Sequence, residues 1–241
     1  TPLLQSLRNS KGQIVIIMQK DETIKNLHDI QNGTNASYSG SALDSDSPIG
    51  ILSKDYDLKK ELGHGSQASV YLAERKSDRQ QVAIKKLIIG SVKSWKEYEL
   101  FHREADVLKT LDVDGIAKFY GAVDDLDVVE PCSYIVQEYI PGRTLQEMIQ
   151  SGVRFSIDRS FEIILQLIDL LEKLHSHEPP IIHRDIKPSN IILKPRDHAW
   201  FKVCLVDFGA VANPQVQSGG STVAGTFGFM PPEQLTGKPT P

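Results

Sequence analysis

The chain has 241 residues, 40% of them hydrophobic and 24% charged, which is ordinary for a globular protein and enough for one large domain or two small ones. Its net charge of −4 offers no basic field for nucleic acid, and no apolar run approaches the ~20 residues a membrane span needs. Two cysteines, Cys132 and Cys204, lie far apart in apolar strand-like runs and read as buried small hydrophobes of a reducing, cytoplasmic compartment, not as a disulfide.

The chain begins with Thr, which reads as a fragment or a processed chain. Over residues 1–55, "GQIVIIMQ" predicts one strand and "DETIKNLHDI" one short helix; its apolar stretch is too short for a signal core. Residues 31–50 are rich in Ser, Gly, Asn and Asp, cannot bury enough apolar surface to offset their ordering entropy, and read as a flexible linker. The N-x-S/T patterns at Asn32 and Asn35 read as chance matches. From Tyr56 the texture changes. "YDLKKELG" and "ASVYLAER" are strands; in the second, Val70, Leu72 and Glu74 alternate with Ser69, Tyr71 and Ala73. Between them Gly63 and Gly65 occupy the first two places of G-x-G-x-x-G, with Ala68 in the third. The loop joins two strands and not a strand to a helix, which argues against a dinucleotide fingerprint; no Gly-Lys-Ser/Thr follows, which argues against a Walker loop.

"QVAIKKLII" is a third strand. In 94–111, Tyr98, Phe101, Ala105 and Leu108 recur at helical spacing. "GIAKFYGAV" and "CSYIVQEYI" are strands, and the acidic turn between them (Asp124, Asp125, Asp127, Glu130) reads as a solvated loop. Thr144 and Glu147 form a capping-box pair that opens a short helix. A long helix is predicted over 158–175, with Phe161, Ile164, Ile168, Leu171 and Leu174 on one stripe. Strands first, then helices, with one helix inside the strand block, is an α+β layout in two lobes.

The chemistry concentrates in "IIHRDIKPSNIIL" (181–193), which sets Asp185, Lys187 and Asn190 between apolar strand residues. A charged surface turn would be the bland reading. It is weakened by "VCLVDFGA", a further apolar strand that ends in Asp207. Asp185, Asn190 and Asp207 at two strand ends suit a hard divalent cation such as magnesium, which takes few protein oxygens and fills the rest with water and phosphate. Lys85 ends the apolar "VAIK", and an inward lysine requires a partner; Glu104, near the core-facing side of the 94–111 helix, is the candidate.

Gly63-x-Gly65-x-x-Ala68, Val82-Ala83-Ile84-Lys85, Glu104, His183-Arg184-Asp185-Ile186-Lys187-Pro188-Ser189-Asn190, Asp207-Phe208-Gly209 and Pro231-Pro232-Glu233, in that order, resemble the signature set of the eukaryotic-like protein kinases over residues 56–241. The resemblance implies a bilobal fold: an extension and linker over 1–55, an N-lobe and hinge over 56–140, and a partial C-lobe over 141–241. It implies phosphoryl transfer from ATP with Mg2+, carried mostly by positioning and charge stabilisation. The backbone amides of 63–68, Gly63, Gly65 and Ser66 among them, would cover the phosphates. Lys85, oriented by Glu104, would hold them. Leu62, Val70, Ala83, Ile192 and Val206 would line the adenine pocket, with the backbone of Glu138 and Ile140 at the adenine edge. Asn190 and Asp207 would hold the metal, Asp185 would take the proton of the substrate hydroxyl, and Lys187 would neutralise the γ-phosphate.

"IKPSN" and "GTFGFMPPE" resemble the serine/threonine branch, with a cyanobacterial flavour, and so imply a protein substrate bearing Ser or Thr. Thr226 would seat the substrate beside Asp185. Arg184 would receive an activation-segment phosphate, with Thr222 the first candidate and Ser221 the next. The chain departs from the pattern at Ala68, Phe229 and Pro231, and it ends soon after Pro231-Pro232-Glu233 where the family's C-lobe continues. It therefore reads as C-terminally truncated, poorly stable by itself and with impaired activity. Two rivals stand beside this reading. A pseudokinase or scaffold would lack one of Lys85, Asp185, Asn190 and Asp207, and all four are present. A small-molecule kinase would usually lack Lys187-Pro188 and the G-T…P-P-E platform.

Overall fold

The computed structural model describes residues 5–8, 14–17, 48–65, 68–92, 95–126, 128–196, 201–211 and 225–236. Near the start, β1 (Gln5–Arg8) and β2 (Ile14–Ile17) pair antiparallel, so the strand expected in "GQIVIIMQ" has a partner. The helix expected in "DETIKNLHDI", Asn32, Asn35 and residues 31–47 of the linker lie outside the described residues.

Five strands make the first lobe: β3 (Tyr56–His64), β4 (Ser69–Arg75), β5 (Gln81–Ile88), β6 (Phe119–Asp125) and β7 (Cys132–Glu138). All pairs are antiparallel, in the order β3-β4-β5-β7-β6. Residues opposite one another share a face. Val70, Lys85 and Ile135 form one row, and Leu72, Ala83 and Gln137 the next. The other face carries Ala73, Val82, Ile84 and Val136, and this apolar surface needs a cover. Ile49 and Leu52 provide it, the first with no exposed surface. The Ile51 N–H donates to Asp125 Oδ2 at 3.2 Å, and Asp125 is itself buried. Two expectations change here. The linker does not run to residue 50, because Ile49 gains more from burial on the sheet than its polar neighbours upstream could offer. The acidic turn is not wholly solvated, because an amide donor compensates Asp125 for its lost water.

Helix α1 (Trp95–Thr110) turns Phe101, Glu104, Ala105 and Leu108 inward. The second lobe holds α2 (Leu145–Gln150), α3 (Ile157–His175), a small sheet of β8 (Arg143–Thr144), β9 (Ile191–Lys194) and β10 (Lys202–Leu205), and the short α4 (Pro232–Leu235). The capping box forms in full: Glu147 N–H donates to Thr144 Oγ1 at 3.1 Å, and Thr144 N–H to Glu147 Oε2 at 2.7 Å. The face that α3 buries differs from expectation. Ile163, Leu170 and Leu174 are its buried residues, whereas Phe161, Ile164 and Ile168 are at least half exposed. Its apolar surface is wider than one stripe, and packing against β10 selects the line through Leu170 and Leu174.

The lobes share one core, in which Leu87, Phe101 and Leu108 join Leu170, Leu174, Leu205 and Phe208. At the seam the Leu205 N–H donates to Gly115 O at 2.9 Å. Gly115 has φ +106°, and a Cβ there would lie 2.7 Å from Leu170 Cδ2, so the seam requires glycine. Cys132 and Cys204 are buried free thiols. No helix among the described residues is long and apolar enough to cross a membrane.

Candidate active site

The antiparallel β9–β10 pair builds the site, because its polar residues lie just before β9 and just after β10. His183 anchors the first of these segments. It is 1% exposed, packs edge-on against Phe208 with ring centroids 4.8 Å apart, and donates from Nε2 to Val206 O at 3.2 Å. Its Nδ1 accepts the Asp185 N–H at 3.3 Å. Burial depresses the His183 pKa to about 4, so the ring is neutral in both roles.

That depression has a consequence for stability. The unfolded chain, with an ordinary histidine near 6.5, binds more protons than the folded one between the two values. Stability tied to His183 is therefore present above about 6.5 and is lost as pH falls toward about 4. The expected loss is about 3 kcal/mol, at ~1.4 kcal/mol per unit. Urea melts at pH 7 and pH 4.5 measure it, and His183→Gln should flatten the slope; an equal slope in the variant refutes the assignment.

Asp185 is buried and surrounded by donors. Thr226 Oγ1 donates to its Oδ1 at 2.7 Å, while Asn190 Nδ2 at 3.0 Å and Lys187 Nζ at 2.8 Å meet its Oδ2. Lys187 also donates to Thr226 Oγ1 at 2.7 Å. Asn190 further ties itself to the Asp185 carbonyl at 3.0 Å, which turns its amide nitrogen inward and makes Oδ1 its candidate ligand atom for a cation.

A second group forms around Lys85. Its ammonium donates to Glu104 Oε2 at 2.6 Å and to Asp207 Oδ1 at 2.8 Å. Burial opposes the charge on Lys85, but the two carboxylates outweigh it and raise its pKa. Lys85 in turn holds the exposed Asp207 carboxyl at about 2. Burial pushes Glu104 upward, and the ammonium pulls it back. Asp207 adopts φ +66° and Arg184 φ +64°, left-handed conformations that persist only where the surroundings over-determine them. Ala68 is not among the described residues with positive φ, and its side chain packs on the main core. An alanine therefore fits the third glycine place.

The Gly65 N–H closes the glycine loop on Ala68 O at 2.9 Å. Leu62 is exposed, and nothing lies within 4 Å of the Cβ position of Gly63. Val70 and Ala83 share the sheet face of Lys85 or lie one row from it, while Ile192 and Val206 pack against Ile140, Ala117 and Cys204. Glu138 donates its N–H to Lys118 O at 2.8 Å, so its amide is not a group for a ligand. Arg184 donates to Ala210 O at 2.5 Å and to Val211 O at 3.1 Å. Its pKa is lowered by burial and by Arg103 nearby. Ser66, Ser221 and Thr222 lie outside the described residues. The buried Gln234, which donates to the Arg184 carbonyl at 2.6 Å, escaped the sequence reading, because a glutamine after Pro-Pro-Glu carries no local signal of burial.

The profile of the protein kinase domain matches residues 56–240, more than half of the chain. The chain belongs to the eukaryotic-like serine/threonine protein kinase family. The chain is 32% identical to Serine/threonine-protein kinase C of Synechocystis sp. over 213 residues, covering 80% of this chain and 37% of that protein. It is 33% identical to Serine/threonine-protein kinase PknA of Nostoc sp., covering 78% and 34%. Against Aurora kinase A-A of Xenopus laevis the identity is 32%, covering 77% and 43%. The chain thus spans less than half the length of these relatives. Members of the family use ATP and magnesium, and the two groups of side chains suit both. A half-buried, carboxylate-bound lysine is available for phosphate, and the oxygens of Asn190 and Asp207 for a hard cation.

Proposed function

We propose that this kinase transfers the γ-phosphoryl group of ATP to serine or threonine hydroxyls of protein substrates. The observation that carries the reading is the convergence of Thr226, Lys187 and Asn190 on the Asp185 carboxylate, together with the Lys85–Glu104–Asp207 chain. Magnesium-ATP, when bound, supplies the phosphoryl group and the cation that offsets its charge. Lys85, fixed by Glu104, would orient the phosphates, with the backbone of Gly63, Gly65 and Ser66 as their cover. Leu62, Val70, Ala83, Ile192 and Val206 would line the adenine side, with the Glu138 carbonyl and the Ile140 amide at its edge. Asn190 Oδ1 and Asp207 would hold magnesium. Asp185 accepts the hydroxyl proton, a role suited to a carboxylate held on both oxygens by donors. Thr226 sets the substrate backbone beside it, and Lys187 balances the transferring charge. Residues 56–140 serve as the nucleotide lobe and 141–241 as part of the substrate lobe, with 1–55 as an extension.

The test is transfer of radiolabel from ATP to a generic protein substrate by the whole protein. Equal signal from wild type and Asp185→Ala rejects the reading, and signal on a small-molecule acceptor alone favours that rival class. The two buried thiols fit a cytoplasmic location, which cell fractionation decides.

Control by phosphorylation belongs to the same proposal. Arg184 lies against the start of the activation segment, with a second guanidinium, Arg103, near enough to depress its pKa. A phosphate on Thr222, or on Ser221, would satisfy that positive charge and order the segment. Mass spectrometry of active protein is expected to find Thr222 modified; full activity with both residues unmodified sinks the idea.

A further inference from the structure

We infer that Gln234 is a positioning residue for Asp185, acting through the peptide bond that joins Arg184 to Asp185; this rests on the kinase reading above. That peptide has two polar atoms, and both are held. Its carbonyl oxygen accepts from Gln234 Nε2 at 2.6 Å, and its N–H donates to His183 Nδ1 at 3.3 Å. Rotation of the peptide plane would swing the Asp185 Cα–Cβ bond away from Thr226 and Asn190. The plane needs such restraint, because Arg184 sits at φ +64°, a region a side-chain-bearing residue leaves unless its surroundings prevent it.

A glutamine is the fitting residue here. It must reach a carbonyl and must carry a donor, which glutamate lacks when ionised. It is 5% exposed, so its hydrogen bonds are made away from competing water. Gly225 makes the path possible. A Cβ at Gly225 would lie 2.4 Å from Gln234 Nε2 and 2.5 Å from Arg184 O, and its φ is +121°. The next residue, Thr226, donates to Asp185 Oδ1 at 2.7 Å. Gln234 therefore braces the catalytic loop and the substrate-facing segment at one point. Misplacement of a reacting group by about 1 Å costs on the order of 10²-fold in rate.

The experiment compares wild type with Gln234→Met and Gln234→Glu in the whole protein. Methionine fills the same space without a donor, and glutamate keeps the shape but opposes the carbonyl with oxygen. Both are expected to lower kcat for peptide phosphorylation about 10- to 100-fold, with KM for ATP and the thermal shift produced by Mg-ATP unchanged. Hydrogen exchange should quicken in peptides covering 183–187 and 225–230 and stay unchanged in those covering β4 and β5. A purely space-filling role predicts that Gln234→Met keeps wild-type kcat. A kcat within about twofold of wild type in either variant, or unchanged exchange at 183–187, overturns the inference. Should wild type itself transfer no phosphate, the kinase reading fails, and the exchange result alone decides the role of Gln234.

Discussion

Asp185→Asn is expected to lower kcat by about 10²–10⁴-fold, the range of a positioned general base, while KM for ATP changes little. The side chain keeps its size, so the loss isolates charge and basicity. Both Asp185 oxygens accept hydrogen bonds, from Thr226 on one side and from Asn190 and Lys187 on the other. An asparagine must turn its NH2 toward one of those donors, and on the Oδ2 side it would face an ammonium. Steady-state phosphorylation of a peptide by the whole protein measures the effect. A kcat within tenfold of wild type would remove Asp185 from the proton-accepting role. Unchanged nucleotide binding would separate this loss from misfolding.

Lys85→Met carries the second large effect, and it acts on activity and stability together. The substitution removes the ammonium that Glu104 and Asp207 share at 2.6 and 2.8 Å. Activity should fall about 10²–10³-fold, as for the loss of one electrostatic donor. Stability should fall by about 3–5 kcal/mol, the typical result of leaving one member of a buried pair alone, because Glu104 is only 2% exposed. Protonation of Glu104 softens that cost, so the loss should be larger at pH 8 than at pH 5. The double variant Lys85→Met/Glu104→Leu is the discriminating one. It should recover most of the stability and none of the activity, since an apolar pair of similar volume can replace a buried ion pair. Denaturant melts and phosphorylation assays on Lys85→Met, Glu104→Leu and the double variant, set against wild type, make a double-mutant cycle. A single Lys85→Met variant as stable as wild type would show that the pair has no structural part.

Much of the fold was legible locally. The alternation in "ASVYLAER" became β4, the helical spacing in 94–111 became α1, and Thr144 with Glu147 closed the expected capping box. These signals are legible because their partners lie within a few residues. The inward Lys85 announced a partner for the same kind of reason, since its apolar neighbours make the cost of burial visible, and Glu104 receives it. The α3 stripe misled because its apolar surface is wider than one face, and only the position of β10 selects Leu170 and Leu174 over Phe161 and Ile168. Ile49 and Asp125 were misjudged because the composition around them is polar, while the sheet face that covers Ile49 is built far downstream.

The amino-acid sequence by itself determined the order of the elements, the family, and the chemical types gathered at the site, because periodicity, caps and motif spacing are properties of neighbours along the chain. Only the tertiary structure decided which atoms meet. It set Thr226 and Lys187 together on Asp185, turned the Asn190 amide toward it, held Arg184 and Asp207 in left-handed backbone, and brought Gln234 through the gap left by Gly225. The physical reason is that hydrogen bonds depend on tenths of an ångström and on direction. Those are fixed by packing between segments dozens of residues apart, where sequence spacing carries no distance.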